Sequence, residues 1–291
     1  VFPENSIGKA SSMSAQGQDM AHGLQIASAR QRAKKGTSER LISIGSIAVL
    51  ILIWHLVSAS GWVTPFFMPS PMSVLENLYA LTINVFSDFE RSIFYHIGAS
   101  MWRVVAGFLL AVLLAIPVGM SVGLSRTTFH LVDPWIEIIR PLPPITWVPM
   151  AILWLGLFEP PKIALICYGA FFPIALNTIS GFRGIDRVHI WAAQALGANK
   201  RQIFWNVMVR GAMTRIVVGL RLGAGMAFVV LVAAELILAY AGLGYLIMNG
   251  REQMKTDQIF VGLVVIGILG FFINKGVVWG ESKIIKYRQE I

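Results

Sequence analysis

Charge is what this chain has little of. Of its 291 residues only 13% are Asp, Glu, Lys or Arg, about half the usual share of ~25%, while 56% are hydrophobic. Mean hydropathy is +0.67. A surface facing water cannot be built from so few polar side chains, which excludes an ordinary soluble domain and disorder over most of the length. A single cysteine, Cys167, excludes a disulfide scaffold. Catalytic constellations are missing too. His22, His55, His96, His130 and His189 are scattered with no pair at metal-ligand spacing, and HExxH, GxSxG and paired acidic residues within an apolar run are all absent. No GxxxxGK[ST] occurs, so the chain cannot cradle ATP phosphates in a P-loop. The net charge of +9 would suggest nucleic acid in a soluble protein. Here it reads as Lys and Arg gathered in loops beside a membrane.

What the chain does have is long apolar runs. About 20 apolar residues at 1.5 Å each cross roughly 30 Å of hydrocarbon. Six runs meet that need: Leu41 to Ser60, Val104 to Leu124, Pro141 to Phe158, Ile163 to Phe182, Ile216 to about Tyr240, and Gln258 to Gly280. The third carries Pro141, Pro143, Pro144 and Pro149 and is expected to bend or begin late. The fifth, if it ran on to Gly250, would rise about 52 Å, so a break is expected near Gly242 and Gly244 with a short interfacial piece after it. The expected fold class is an all-α integral membrane protein with six transmembrane helices and a short cytoplasmic coupling helix.

Basic residues set the expected orientation. Arg30, Arg32, Lys34, Lys35 and Arg40 precede the first run, Arg183, Arg187, Lys200, Arg201, Arg210 and Arg215 lie between the fourth and fifth, and Lys283, Lys286 and Arg288 follow the sixth. All three regions read as cytoplasmic, and six crossings from an inside start return the chain inside. Residues 1–40 are polar and without period, and are expected to be a disordered cytoplasmic segment, followed by the first transmembrane helix at 41–60. A forty-residue leader is too long for a cleaved signal peptide.

Within the runs, Gly119 with Gly123, and Gly219 with Gly223, stand four apart, as small residues do where helix backbones approach closely. Glu235 lies in LVAAELILAY with no easy route to water. A carboxylate there must find a donor, protonate or face a water-filled path, so a place in a translocation path and a structural hydrogen-bonding role near a gate both stay open. Arg221 is fourteen residues earlier, about 21 Å along a straight helix, and cannot reach it. Between the fourth and fifth runs, HIWAAQALGANK reads as a short helix of small residues halted by Gly197.

WAAQALGANKRQIFWNVMV resembles the EAA loop of ABC importer permeases, with Ala192, Ala193, Gly197 and Val207 on its spacing. The likeness extends from about His96 to Arg288 through HIGASMWRVVAGF, VDPWIEIIRPLPPITWVPMAILWLGLFE and VGLRLGAGMAFVVLVAAELILAYAGLGYLI. These are similar to the nitrate, sulfonate and taurine branch of the family, and RPLPPITWVPM with RVHIWAAQALGA is most like the taurine permeases. Trp191 stands where the loop often has Glu, Val209-Arg210 where it has Leu-Pro, and Asn274 where an Asp is frequent. The resemblance implies a permease domain over residues 94–282 and a cytoplasmic tail over 283–291. It implies a bacterial inner-membrane location and no cofactor or metal in this chain, with ATP-Mg held by two partner ATP-binding subunits. A second permease copy, a periplasmic or tethered solute-binding protein and membrane lipid are the other implied partners, with no nucleic acid. Ala192, Ala193, Leu196, Gly197 and Ala198 are then expected to couple to the ATPase. Glu235, Thr146, Trp147 and Asn177 are candidates for the path or gate, the last three because hydroxyl, indole N–H and amide can donate to an anion or zwitterion.

Overall fold

The structure, a computed structural model, describes residue 42 and residues 45–83 and 92–289. Residues 1–40, expected as a disordered segment, lie outside the described residues. Among the described residues every regular element is helical. The chain divides into two compact units, one ending at Pro71 and one starting at Met72. In the first, α1 (Gly45–Ala59) is followed by a turn through Gly61. The segment after it is held to the helix, because Trp54 Nε1 donates to the Pro69 carbonyl at 3.1 Å and Ser58 Oγ to that of Met68 at 3.3 Å.

The second unit is built around three helices. After α2 (Pro71–Ile83) come α3 (Ile93–Leu124), α4 (Arg126–Ile139), a 3-10 turn (Pro144–Trp147), α5 (Val148–Leu155) and α6 (Glu159–Arg183). Then follow α7 (Arg187–Ala195), α8 (Lys200–Gln202), a π-helical stretch (Ile203–Val209), α9 (Arg210–Leu238), α10 (Leu243–Glu252) and α11 (Thr256–Gln289). α3 lies parallel to α6, and glycines set the approach. A Cβ at Gly107 would sit 2.6 Å from Ile166 Cγ2, one at Gly119 2.6 Å from Thr178 Cβ, and one at Gly123 2.8 Å from Phe182 Cβ. α9 packs antiparallel on another face of α6, where Gly219 meets Asn177, Gly223 meets Ile174 and Gly169 meets Val230. Both four-residue glycine pairs thus face α6 within the same chain. Ala111, Ala115, Ala170, Ile174, Ala175 and Ala227, all fully buried, fill the core that this contact leaves.

Because α3 and α6 point the same way, the chain must climb back along the bundle between them. α4 and the 3-10/α5 segment make that return as a pair bent by 89°. The expected third span, Pro141 to Phe158, is therefore not a single helix: α5 has eight residues and rises about 12 Å, too short to cross. Pro141, Pro143 and Pro144 lock φ and remove backbone donors, and Pro143, just before Pro144, is extended with ψ 138°, although Arg140 keeps helical angles before Pro141. Tyr168 Oη, within 2.8 Å of the Ile139 carbonyl and 3.0 Å of that of Leu142, supplies a donor at the bend. The other arm, α4, escapes a hydropathy reading because it carries Arg126, His130, Asp133 and Glu137.

Four helices among the described residues are long and apolar enough to cross a membrane, or five if the bent pair counts as one. The part of α1 that is described, Gly45–Ala59, is apolar and rises about 22 Å. The break after the fifth run lies where glycines suggested it: α9 stops at Leu238, Ala239 is extended, and Gly242 takes φ +123° before α10 starts. At its other end this helix begins far earlier than the apolar run, since Lys200–Leu238 forms one continuous helical rod.

Candidate functional site

Two ends of the bundle carry the chemistry. At the end holding the N termini of α3 and α6, His96, Ser100 and Arg103 stand at i, i+4 and i+7 on one buried face of α3. Arg103 Nη1 donates to Glu235 Oε1 of α9 at 2.7 Å and to the Ala241 carbonyl at 2.5 Å. Its Nε and Nη2 form a fork on Glu159, 2.6 Å to Oε2 and 2.8 Å to Oε1, and Lys162 Nζ adds 2.9 Å to Oε1. Two cations thus face two carboxylates. Guanidinium suits the task because its planar donors reach three acceptors in fixed directions, which a lysine cannot do.

This lattice also caps α10. The first N–H groups of a helix have no partner within it. Here Gly242 N donates to His96 Nδ1 at 3.1 Å, Leu243 N to Ser100 Oγ at 2.9 Å and Gly244 N to Glu235 Oε2 at 3.0 Å. Ser100 Oγ lies 2.8 Å from both Glu235 oxygens and gives its one hydrogen to them. Glycine is required at the corner: a Cβ at Gly242 would overlap the Glu235 carboxylate, and its positive φ disfavours any side chain.

A cavity of about 900 Å³ opens beside α6 and α9 and reaches α11. Its polar groups are Arg140, Tyr168, Asn177, Arg221 and Asn274, and no acidic residue lines it among the described residues. Arg221 Nη1 meets Glu281 Oε2 at 3.2 Å, so this arginine already carries a carboxylate partner.

The opposite end of the bundle joins α6 to α9 through α7. Asp186 caps α7 by accepting from Val188 N at 2.9 Å. The helix then closes in a Schellman motif: Gly197 N donates to the Gln194 carbonyl at 2.9 Å, Ala198 N to that of Ala193 at 3.0 Å, and Gly197 holds φ +79°. Asn199 and Gln202 form a reciprocal capping box that starts α8. Val188, Trp191 and Leu196 are exposed on this knuckle, Leu196 at 88%.

Of the residues singled out by sequence, Ala192, Ala193, Leu196, Gly197 and Ala198 stand together at the end of α7. Glu235 is 1% exposed, inside the ionic lattice rather than on the large cavity. Asn177 lines that cavity and donates to the Pro173 carbonyl at 2.8 Å. Thr146 and Trp147 lie on the 3-10 turn: the Thr146 hydroxyl donates to the Pro143 carbonyl, and the buried Trp147 Nε1 has no partner among the described residues. Sequence reasoning missed Arg103 and Ser100 as partners of Glu235, His96, Glu159 and Lys162 as the rest of that lattice, and Arg140 and Arg221 as neighbours of one space. For Arg103 a signal existed, since a cation among apolar residues must find a carboxylate.

Residues 107–279 match the family described as "Binding-protein-dependent transport system inner membrane component". The chain is 38% identical over 251 residues to the taurine transport system permease protein TauC of Escherichia coli (strain K12), which spans 86% of this chain and 90% of that protein. It is 30% identical over 248 residues to the nitrate import permease protein NrtB of Synechocystis sp., over 84% of this chain and 89% of that one. Among solved structures, a chain from the inward facing conformations of the MetNI methionine ABC transporter shares the fold, with TM-score 0.55 and 19% identity over 65% of this chain and 92% of that one.

Proposed function

The chain belongs to the binding-protein-dependent transport system inner membrane component family, as an ABC importer permease subunit and not itself an enzyme, and from that premise we propose that it passes a small organosulfonate such as taurine across the membrane. The observation that carries this reading is the 38% identity to a taurine permease along 86% of the chain. The large cavity supports it: Arg140 and Arg221, the second shared with Glu281, are the charged residues among its described lining and favour a solute carrying an oxyanion.

In this reading the bundle crosses the inner membrane six times, counting α1 and the bent α4/α5 pair as one crossing each. Both termini lie in the cytoplasm. The parallel course of α3 and α6 supports this, since it needs one return crossing between them. The α7 knuckle then faces the cytoplasm, where two ATP-binding subunits holding ATP-Mg grip Ala192, Ala193, Leu196, Gly197 and Ala198. A second copy of the permease completes the path, and a binding protein delivers solute at the end that holds the Arg103 lattice. Closure of the ATPases pushes the knuckle and rocks the bundle between inward-open and outward-open forms. Asn177, Thr146 and Trp147 contribute donors along the path, while Glu235 holds the gate at its outer end.

The chain reconstituted with its ATP-binding subunits and the matching binding protein tests the reading. Taurine should stimulate ATP hydrolysis and accumulate in the vesicles, and the permease alone should move nothing. Stimulation by nitrate or bicarbonate without any by taurine overturns the solute, as the relative named for nitrate import allows.

A further inference from the structure

Beside the ionic lattice, and separate from the arginine-lined space, lies a second cavity of about 300 Å³. Trp102, Phe158 and Tyr240 wall it, and Arg103, Glu159 and Lys162 form its polar side. Lys162 is 1% exposed, yet its ammonium has three hydrogens and one acceptor among the described residues, Glu159 Oε1. Two donors therefore stand unclaimed in a buried place, where an unmade hydrogen bond is costly. Glu159 is the accessible member, with 44% of its side chain exposed. The walls are exposed aromatic rings, 64% for Trp102, 78% for Phe158 and 75% for Tyr240.

The charges on the polar side and just behind it cancel, with Arg103 and Lys162 against Glu159 and Glu235. A bare anion or a bare cation entering here adds an uncompensated charge at low dielectric. A molecule carrying both signs does not. We propose that this cavity is a second ligand site for a small zwitterion, an oxyanion joined through a short carbon linker to an ammonium. The oxyanion accepts from Lys162 Nζ, and the ammonium lies against the Glu159 carboxylate and the faces of Trp102 and Tyr240. Such chemistry has two sources, a free amino-sulfonate or amino acid and the phosphoethanolamine headgroup of a lipid. The site stands independently of the proposed transported solute, and taurine serves below only as a zwitterion of suitable size.

The test uses the full chain carrying Arg140→Gln and Arg221→Gln, so that the large cavity does not contribute, in detergent free of phosphatidylethanolamine. Calorimetric titration should show taurine binding, with isethionate, which has a hydroxyl in place of the ammonium, and choline, which has no oxyanion, at least about tenfold weaker. Lys162→Met should weaken taurine about tenfold or more. Because Lys162 is buried, Trp102→Leu with Tyr240→Leu provides a second variant at exposed positions, and it should erase the advantage of taurine over isethionate. In nanodiscs, taurine affinity equal in pure phosphatidylglycerol and in phosphatidylethanolamine assigns the site to a free solute. Taurine binding lost in phosphatidylethanolamine, with that lipid retained in native mass spectrometry, assigns it to the headgroup. Isethionate binding as well as taurine, variants that change nothing, or neither taurine binding nor lipid retention overturns the proposal. Taurine uptake is read separately by the reconstituted importer, so either idea can fail while the other stands.

Discussion

Arg103 Nη1 and Glu235 Oε1 meet at 2.7 Å across two antiparallel helices, with 4% and 0% of their side chains exposed, and the same guanidinium forks onto Glu159. Sealed pairs of this kind contribute little against an apolar alternative but are costly to break from one side.

Arg103→Met should therefore destabilise the bundle by about 3–5 kcal/mol, since Glu235 and Glu159 lose their shared partner. Arg103→Lys should recover only part of this, one ammonium being unable to span three acceptors. Thermal unfolding in detergent reads the effect. The pair Arg103→Met with Glu235→Leu should be less damaging than Arg103→Met alone, and a double variant worse than the single one would contradict the ionic account.

Gly223→Ala and Gly225→Ala, two residues apart on α9, should behave oppositely. A Cβ at Gly223 would lie 2.6 Å from Ile174 Cγ1, whereas at Gly225 nothing lies within 4 Å. The first should cost about 1–3 kcal/mol in overpacking, reduced by the helix preference of alanine, and the second should be neutral or gain up to about 1 kcal/mol. Paired melting curves decide it.

Gly197→Ala should strain the close of α7 by about 1–2 kcal/mol through its positive φ, with Gly197→Asn milder. Insertion should stay unchanged and global melting should fall by no more than a few degrees, because nothing lies within 4 Å of the missing Cβ and the strain is confined to this turn. Uptake and ATPase association should fall. A Gly197→Trp importer that assembles and transports normally would remove the coupling role from this knuckle.

Arg140→Gln or Arg221→Gln should raise the KM for a sulfonate-bearing solute such as taurine about 10- to 100-fold, the usual worth of one hydrogen bond to a charge. Trp147→Phe, by contrast, should leave melting unchanged or slightly higher, since its buried Nε1 has no partner among the described residues to lose. A fall in uptake with that variant would place the indole N–H in contact with solute; an unchanged KM in the arginine variants would empty the large cavity of its role.

Apolar length and glycine punctuation made much of this legible. The runs at Val104, Ile163, Ile216 and Gln258 correspond to α3, α6, α9 and α11, and Gly242 and Gly244 marked the corner before α10. The capping of α7 at Asp186 and its stop at Gly197 follow from local chemistry that a sequence displays. The bent return through α4 and α5 was not legible, because one arm carries four ionisable residues and the other is too short. The partners of Glu235 were not legible either: Arg103 is 132 positions away, and only the crossing of α3 and α9 brings the two together. In the large cavity Asn177 could be guessed by residue type, but Arg140, at the end of α4, and Arg221, on α9, come to line one space only when the bundle is packed.

The seating of α3 on α6 has a mechanical consequence. Each of its three glycine notches receives a Cβ-branched or aromatic tooth in matching register, so sliding by less than a full helical turn would drive teeth into backbone. The two helices are geared together and must travel as one plank. Any stroke delivered at the α7 knuckle has to be absorbed elsewhere, in the loosely wound Ile203–Val209 stretch at one end of the α9 rod and at the Gly242 hinge beyond the other.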